Sequence, residues 1–275
     1  DAGHQVCVEQ DAGKPVGFQD SDYRQAGATV TTQREVYERS RLLLKVKCPL
    51  PDEYGLLKAD HVLFTYLHFD ENIAPENITQ IVNTGVTGIA YEWVEQDGDF
   101  PLLAPMSRLT GAVFARKAMS LLMEAKHTLG GQYQPAWPQS TAMVIGAGHI
   151  GCNAIAVLVR NRFRVLVVDK HPETFHARLE RFVGDEAKRV ENTEVIRFDE
   201  TRPQESAAAL RSRLPEVDIV ICAAVRRPSL PKEKCEFLIR RADVATMAAN
   251  TVICDATACD YDFIETAVSS SSLTD

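Results

Sequence analysis

Three closely spaced glycines form the pattern of a phosphate-binding turn. Gly146, Gly148 and Gly151 fit G-x-G-x-x-G, with an apolar run at residues 142–145 before them and another at residues 152–159 after them. The first glycine permits a tight turn, the second lets a pyrophosphate approach the backbone, and the third lets a helix pack closely. The helix start offers free N–H groups and a partial positive charge. The pattern therefore predicts a strand, a turn and a helix that bind a dinucleotide.

An acidic residue at the end of the next apolar run indicates which dinucleotide. Residues 164–168 predict a second strand, and Asp169 follows it, 18 residues after the last glycine. A carboxylate there accepts hydrogen bonds from a ribose diol and repels a 2′-phosphate, which favours NAD over NADP. His149 and Ile150 lie inside the turn and are predicted cofactor contacts. The alternative is an ordinary glycine turn in a βα unit.

Three polar residues follow apolar runs in the first hundred residues. Lys47 ends the run 42–47, predicted as a buried strand, and His68 and Glu92 end two others. Ligands collect at the carboxyl ends of parallel strands. An ammonium group can hold an anionic substrate, and a histidine can move a proton near neutral pH. The alternatives are a solvated lysine, a structural histidine and, favoured for Glu92, a carboxylate that caps a turn.

Composition bounds the remaining function classes. The chain has 275 residues, which suggests about two domains, with 45% hydrophobic and 25% charged residues. The net charge of −8 argues against a nucleic-acid or anionic-membrane surface. Seven cysteines without a C-x-x-C pair predict reduced thiols in a cytoplasmic protein. No signal peptide, membrane span or metal site is expected.

Alternating strand and helix patterns predict an α/β fold with two doubly wound, Rossmann-like parallel sheets. Residues 1–128 are predicted as the substrate domain and residues 140–268 as the nucleotide-binding domain. Residues 129–139 contain two prolines and are predicted as the linker, and residues 269–275 as a loose tail.

Several segments resemble one family, alanine dehydrogenase, which is related to the nucleotide-binding subunit of proton-pumping transhydrogenase. The matching segments are residues 45–49 (KVKCP) with Pro51 and Tyr54, 63–68 (LFTYLH), 88–92 (GIAYE), 101–107 (PLLAPMS) and 144–153 (VIGAGHIGCN). Their order and spacing agree from about residue 2 to about residue 265. The second and fourth segments are much more specific than the glycine motif, and they favour alanine dehydrogenase over transhydrogenase.

The resemblance implies a two-domain enzyme that interconverts L-alanine with pyruvate and ammonia, using NAD. It implies that Lys47 binds the carboxylate or oxo oxygen of the substrate and that His68 is the catalytic histidine. It further implies that Ser107 contacts the cofactor and that Asp169 binds the ribose. Members of the family are commonly hexameric, so a homo-oligomer is expected.

The chain also departs from the family pattern. The usual first strand, with the loop that bears a substrate-binding arginine, has no counterpart here, and neither does a long continuation beyond Asp275. Cys259 occupies the place of the second aspartate of the family's Asp-x-Ala-x-Asp segment. The chain is therefore expected to be a fragment, to be completed by a partner chain, or to be remodelled.

These departures leave two further functions open beside the dehydrogenase. One is an NAD(H)-binding paralogue or subunit without catalysis. The other is a transhydrogenase-like domain that passes hydride to a partner, which the intact segment around His68 disfavours.

Overall fold

A computed structural model describes residues 3–69, 74–127, 140–227, 229–257 and 262–268. The chain divides into two compact units, Asp1–Leu103 and Ala104–Asp275. The expected linker at 129–139 and the expected tail at 269–275 lie outside the described residues. The observed division lies before the expected linker, and one helix, Ala104–His127, separates the two.

The first unit contains two parallel sheets. Strands β1 and β2 form a pair, and β3, β4 and β5 form a three-stranded sheet in that order. The elements are β1 (Cys7–Glu9), α1 (Asp20–Gln25), β2 (Thr29–Thr31), α2 (Gln33–Arg39), β3 (Leu42–Leu44), β4 (Val62–Thr65), α3 (Pro75–Asn83) and β5 (Thr87–Ala90), with 3₁₀ helices at Pro51–Leu56 and Tyr91–Trp93.

One face of the three-stranded sheet builds the core of the first unit. Leu43 of β3 and Leu63 of β4 pack there with Tyr37 of α2 and Ile81 of α3. The sequence predicts a buried strand over residues 42–47. In the structure β3 ends at Leu44 and lies at the edge of the sheet. Lys47 therefore belongs to the segment after the strand.

The second unit is a five-stranded parallel sheet in the order β10-β9-β6-β7-β8. The elements are α4 (Ala104–His127), β6 (Thr141–Ile145), α5 (His149–Arg160), β7 (Arg164–Asp169), α6 (Phe175–Val183), β8 (Thr193–Arg197), α7 (Pro203–Arg211), β9 (Ile219–Cys222), α8 (Arg241–Val244) and β10 (Val252–Asp255). The order reverses between β6 and β9, which is where doubly wound sheets bind ligands.

Both faces of this sheet are covered. Val144 and Val167 face a core shared with α5 and α6, whereas Met143 and Leu166 face a core shared with α7. Helix α4 joins the first of these cores through Ala115 and Leu122 and crosses α5 closely. This packing explains why α4 belongs to the second unit, although the sequence placed it in the substrate domain.

The predicted fold class is confirmed, since every sheet in the described residues is parallel and helices connect the strands. Among the residues described, no helix has the length and apolar character needed to cross a membrane. The six cysteines within the described ranges form no disulfide bond. Cys259 lies outside those ranges.

Candidate functional site

The glycine turn joins β6 to α5 as the sequence pattern predicts. Gly146 has a φ of +90°, a left-handed conformation that favours glycine. A Cβ on Gly146 would lie 2.8 Å from the Cβ of Ala224 and 3.0 Å from the carbonyl oxygen of Ala223. A Cβ on Gly151 would overlap the carbonyl oxygen of Gly146. Both positions therefore require glycine for the fold itself.

Gly148 differs from its two neighbours in the motif. It is the N-cap of α5 with an extended backbone, and a Cβ there would meet nothing within 4 Å. His149 and Ile150 are the first two residues of α5, which runs for 12 residues. Open space beside the free N–H groups of a helix start is the surrounding that a phosphate needs.

Asp169 ends β7 beside this turn, and its carboxylate is heavily engaged. One oxygen accepts from the backbone N–H of His171 at 2.8 Å and from Arg178 at 2.7 Å. The other accepts from the N–H of Ala147 at 2.8 Å and from Arg178 at 3.3 Å. Asp169 thus ties the glycine turn to the start of α6.

The pairing with Arg178 was not foreseen from the sequence. Burial would raise the pKa of the Asp169 carboxyl, but hydrogen bonds from Arg178 and from the N–H groups of His171 and Ala147 hold it below its usual range. Arg178 lies on α6, nine residues beyond Asp169, and a basic residue at that helix start was the available signal. In related folds an arginine near this position accommodates a 2′-phosphate.

Two further predicted cofactor contacts lie near the same turn. The imidazole of His149 stacks on the ring of Phe182, with centroids 3.8 Å apart. Ser107 is buried in the first turn of α4, one turn before Gly111 on the same helix face. A Cβ on Gly111 would overlap the carbonyl oxygen of Ile150, so this face of α4 adjoins the start of α5.

In the first unit, Tyr66 brings the two predicted substrate residues together. The imidazole of His68 stacks on the Tyr66 ring with centroids 5.6 Å apart and planes 9° apart. The Nζ of Lys47 lies 5.9 Å from the centroid of the same ring. Tyr66 itself is buried, donates from its hydroxyl to the carbonyl of Leu102 and packs edge-on against Tyr91. Tyr66 was missed as a site residue, although it stands in the LFTYLH segment.

Glu92 is buried with 7% of its surface exposed, and it contacts the turn that carries His68. Its carboxylate accepts from the N–H of His68 at 2.6 Å and from the N–H of Leu67 at 3.1 Å. The pairing of Thr65 with Ala90 brings these segments side by side as β4 and β5 end. Leu67 and Glu92 each lie two residues beyond the end of their strand, and this equal spacing was the sequence signal for the contact.

A second buried carboxylate holds the segment that carries Lys47. Glu53 accepts from the Nζ of Lys45 at 2.6 Å, from the N–H of Leu50 at 2.6 Å and from the hydroxyl of Tyr37 at 3.0 Å. Burial would raise the pKa of Glu53, but the bonds from Lys45 and Leu50 hold it below its usual range. Burial and Glu53 together raise the pKa of Tyr37.

The structure therefore describes two candidate sites, one in each unit. The first unit groups Lys47 and His68 around Tyr66, and the second groups the glycine turn with Asp169. Within the described ranges, no cluster of three or more His, Cys, Asp or Glu residues could hold a metal ion.

Comparison with protein families gives two matches that together span most of the chain. Residues 1–110 match the N-terminal domain, and residues 112–271 the C-terminal domain, of the family described as alanine dehydrogenase/PNT. Their junction lies close to the observed division at Leu103 and Ala104.

Individual relatives agree with this match. The chain is 36% identical over 177 residues to an alanine dehydrogenase of Staphylococcus haemolyticus and 30% identical over 266 residues to that of Bacillus subtilis. These alignments cover 62% and 96% of this chain but only 46% and 65% of the relatives. A solved L-alanine dehydrogenase superposes with a TM-score of 0.73 at 29% identity, covering 98% of this chain and 70% of the other.

Proposed function

Because the chain belongs to the alanine dehydrogenase/PNT family, we propose that it interconverts L-alanine with pyruvate and ammonia, or a closely related amino acid with its oxo acid, using NAD. The observation that carries this proposal is the grouping of Lys47 and His68 around one aromatic ring. A cation and a proton carrier side by side suit an anionic substrate whose carbonyl oxygen gains or loses a proton.

The second unit supports NAD as the cofactor. The open space at Gly148 and the N–H groups of His149, Ile150 and Gly151 at the start of α5 would take the pyrophosphate. Asp169 would take the adenosine ribose in place of its contacts with Arg178, and Ser107 beside the start of α5 would contact the bound dinucleotide. When bound, the nicotinamide ring supplies or accepts the hydride.

In the first unit, Lys47 would bind the carboxylate of the oxo acid by a charge-assisted hydrogen bond. After ammonia adds to the carbonyl carbon, His68 would give a proton to the carbinolamine oxygen so that it leaves as water before hydride reaches the carbon, and in the deamination direction it would take a proton from the attacking water. Tyr66 would fix the distance between these two groups, because both lie within about 6 Å of its ring centroid.

The first experiment follows NADH consumption by absorbance with pyruvate and ammonium at mildly alkaline pH. We expect His68→Asn to lower kcat by about 10²-fold or more, since asparagine tolerates the left-handed backbone but carries no proton near neutral pH. Lys47→Ala should raise the KM for pyruvate. NADH affinity, measured by fluorescence titration, should stay within about twofold for both variants.

Exposed residues of the same types provide matched controls. His4→Asn and Lys58→Ala change a histidine and a lysine that are exposed. Both should leave kcat and KM unchanged. Equal losses of rate and NADH affinity in the site variants would indicate a folding defect and would count against the assigned roles.

One sequence observation favours a second function, NAD(H) binding without turnover. Cys259 stands where the family carries an aspartate, and a thiol cannot replace a carboxylate as proton acceptor or ion-pair partner at the same pH. In that case NADH binds, no amino acid or oxo acid pair is turned over, and Cys259→Asp restores turnover if this residue alone accounts for the loss. Turnover by the unaltered chain would contradict this second function.

We also propose that the chain acts as a homo-oligomer in the cytoplasm, as its resemblance to alanine dehydrogenases implies. Light scattering of the purified protein measures the assembly, and a monomeric mass at micromolar concentration would contradict it.

A further inference from the structure

Glu92 lies in the first unit. Every described hydrogen bond to its carboxylate comes from a backbone N–H group, and none comes from a charged side chain. The donors are two consecutive N–H groups, those of Leu67 and His68, and one carboxylate oxygen accepts from both, at 3.1 and 2.6 Å. The second oxygen adds a longer contact of 3.3 Å to Leu67. The side chain therefore clamps one peptide turn.

His68 adopts a backbone conformation that needs such a clamp. Its φ is +50°, in the left-handed region where a side chain with a Cβ is disfavoured. His68 lies three residues beyond the end of β4 at Thr65, and its imidazole lies parallel to the Tyr66 ring.

We propose that Glu92 is a positioning residue that sets the location of the His68 imidazole through the backbone N–H groups of Leu67 and His68. The effect of Glu92 on kcat rests on the proposed function. The position of the His68 imidazole does not, because it can be measured without turnover. The chemical requirement is an acceptor oxygen at the glutamate's reach. The negative charge is not required.

Two conservative variants separate reach from charge. Glu92→Gln keeps the length and one acceptor oxygen, which alone can serve both N–H groups, but removes the charge. Glu92→Asp keeps the charge but withdraws the acceptor by one methylene. The exposed Glu95, three residues further along, supplies the matched controls Glu95→Gln and Glu95→Asp.

The kinetic experiment measures kcat and the KM for pyruvate with NADH and ammonium. We expect Glu92→Gln to retain kcat within about threefold, and Glu92→Asp to lower kcat by about tenfold to a hundredfold, since small misplacements of catalytic groups have effects of this size. The KM for pyruvate and the affinity for NADH should change by less than about threefold. A larger loss in Glu92→Gln than in Glu92→Asp would overturn the proposal, because charge would then be the operative property.

A double variant tests whether Glu92 acts through His68. In a His68→Asn background, Glu92→Asp should lower kcat by less than about twofold further, because the group it positions is already absent. A full additive loss would show that Glu92 acts on something else and would overturn the assignment.

A spectroscopic measurement tests the geometry without turnover. In protein with ¹⁵N-labelled histidine rings, the His68 resonance is identified by its loss in His68→Asn. It should shift in Glu92→Asp and stay in place in Glu92→Gln. If wild-type protein shows no turnover, the proposed function fails while this spectrum still decides the role of Glu92, and an unchanged His68 resonance in both variants would overturn it.

Discussion

Close main-chain packing, together with the carboxylate of Asp169, shapes the candidate site of the second unit, whereas buried carboxylates alone shape that of the first. Around the glycine turn, Gly146 and Gly151 leave no room for a Cβ, so the backbone itself fixes the helix start. Around Tyr66, the segments that carry Lys47 and His68 are held by the side chains of Glu53 and Glu92. The first arrangement depends on shape, and the second depends on satisfied hydrogen bonds.

Sheet coverage explains this difference. The second unit packs apolar cores on both faces of its sheet. The first unit packs one face, while the other exposes Leu42 by 56%, Leu44 by 65% and Ile89 by 42%. Because Leu44 and Ile89 flank Phe64 in register, these side chains form one apolar surface. With less apolar burial to hold its loops, the first unit relies more on its polar anchors.

The largest expected effect comes from a variant that disrupts the main-chain packing of the second unit. Gly151→Ala should lower the free energy of unfolding by about 3 kcal/mol, because its Cβ overlaps a backbone oxygen that cannot move aside cheaply. Gly148→Ala is the matched control, since its Cβ meets open space, and it should cost only about 0.5 kcal/mol. Denaturant unfolding measures both.

The same pair separates folding from cofactor binding. Gly148→Ala should weaken NADH binding by about tenfold or more, because the added methyl group occupies the approach of the pyrophosphate. Equal stability losses in the two variants would show that the close approach at Gly151 does not constrain the turn.

The next largest effect comes from a variant that removes a polar anchor of the first unit. Glu53→Ala should cost about 2–3 kcal/mol, since it leaves Lys45, Tyr37 and the N–H of Leu50 without their shared acceptor. This figure is at the low end for buried pairs because Lys45 is partly exposed. Asp52→Ala, an exposed acid in the same 3₁₀ helix, should cost less than about 0.5 kcal/mol. A similar loss in both variants would remove the special role of Glu53.

The two modes of positioning also explain what the sequence could predict. The glycine turn, its strand and its helix were predicted from residue spacing, because glycine has few reasons to recur at that spacing. The anchors Glu53 and Arg178 were missed, because their partners are backbone groups or residues brought close only by the fold. For Glu92, the favoured interpretation of a carboxylate that caps a turn agrees with its contacts. The helix α4 was assigned to the other domain because a polar linker marks a boundary in sequence, whereas packing against α5 decides it in space.

A smaller effect sharpens the comparison within the second unit. Asp169→Asn should weaken NADH binding by about tenfold, which corresponds to about 1.4 kcal/mol. The same change leaves Arg178 without its carboxylate partner, so NADPH binding should strengthen relative to NADH by at least about tenfold. Fluorescence titration with both cofactors measures the ratio. The double variant Asp169→Asn with Arg178→Gln should abolish the gain, and a gain that survives would exclude Arg178 as its source.

The smallest effect compares the two anchoring carboxyls through pH. Glu53 and Asp169 both have pKa values below their usual range in the folded protein. A lowered carboxyl pKa contributes stability that is fully present above the unfolded value, near 4, and is lost as the pH falls through the folded value. The Tm difference between wild type and Glu53→Gln, or between wild type and Asp169→Asn, should therefore be constant from pH 8 to about pH 5 and shrink below it.

Differential scanning calorimetry at constant ionic strength measures these differences, and the two units give it a further use. If the units unfold in separate transitions, Glu53→Gln should move only the transition of the first unit and Asp169→Asn only that of the second. A gap that widens as the pH falls would contradict the sign of both pKa shifts. A single transition moved by both variants would show instead that the polar anchors of both units stabilise one cooperative structure.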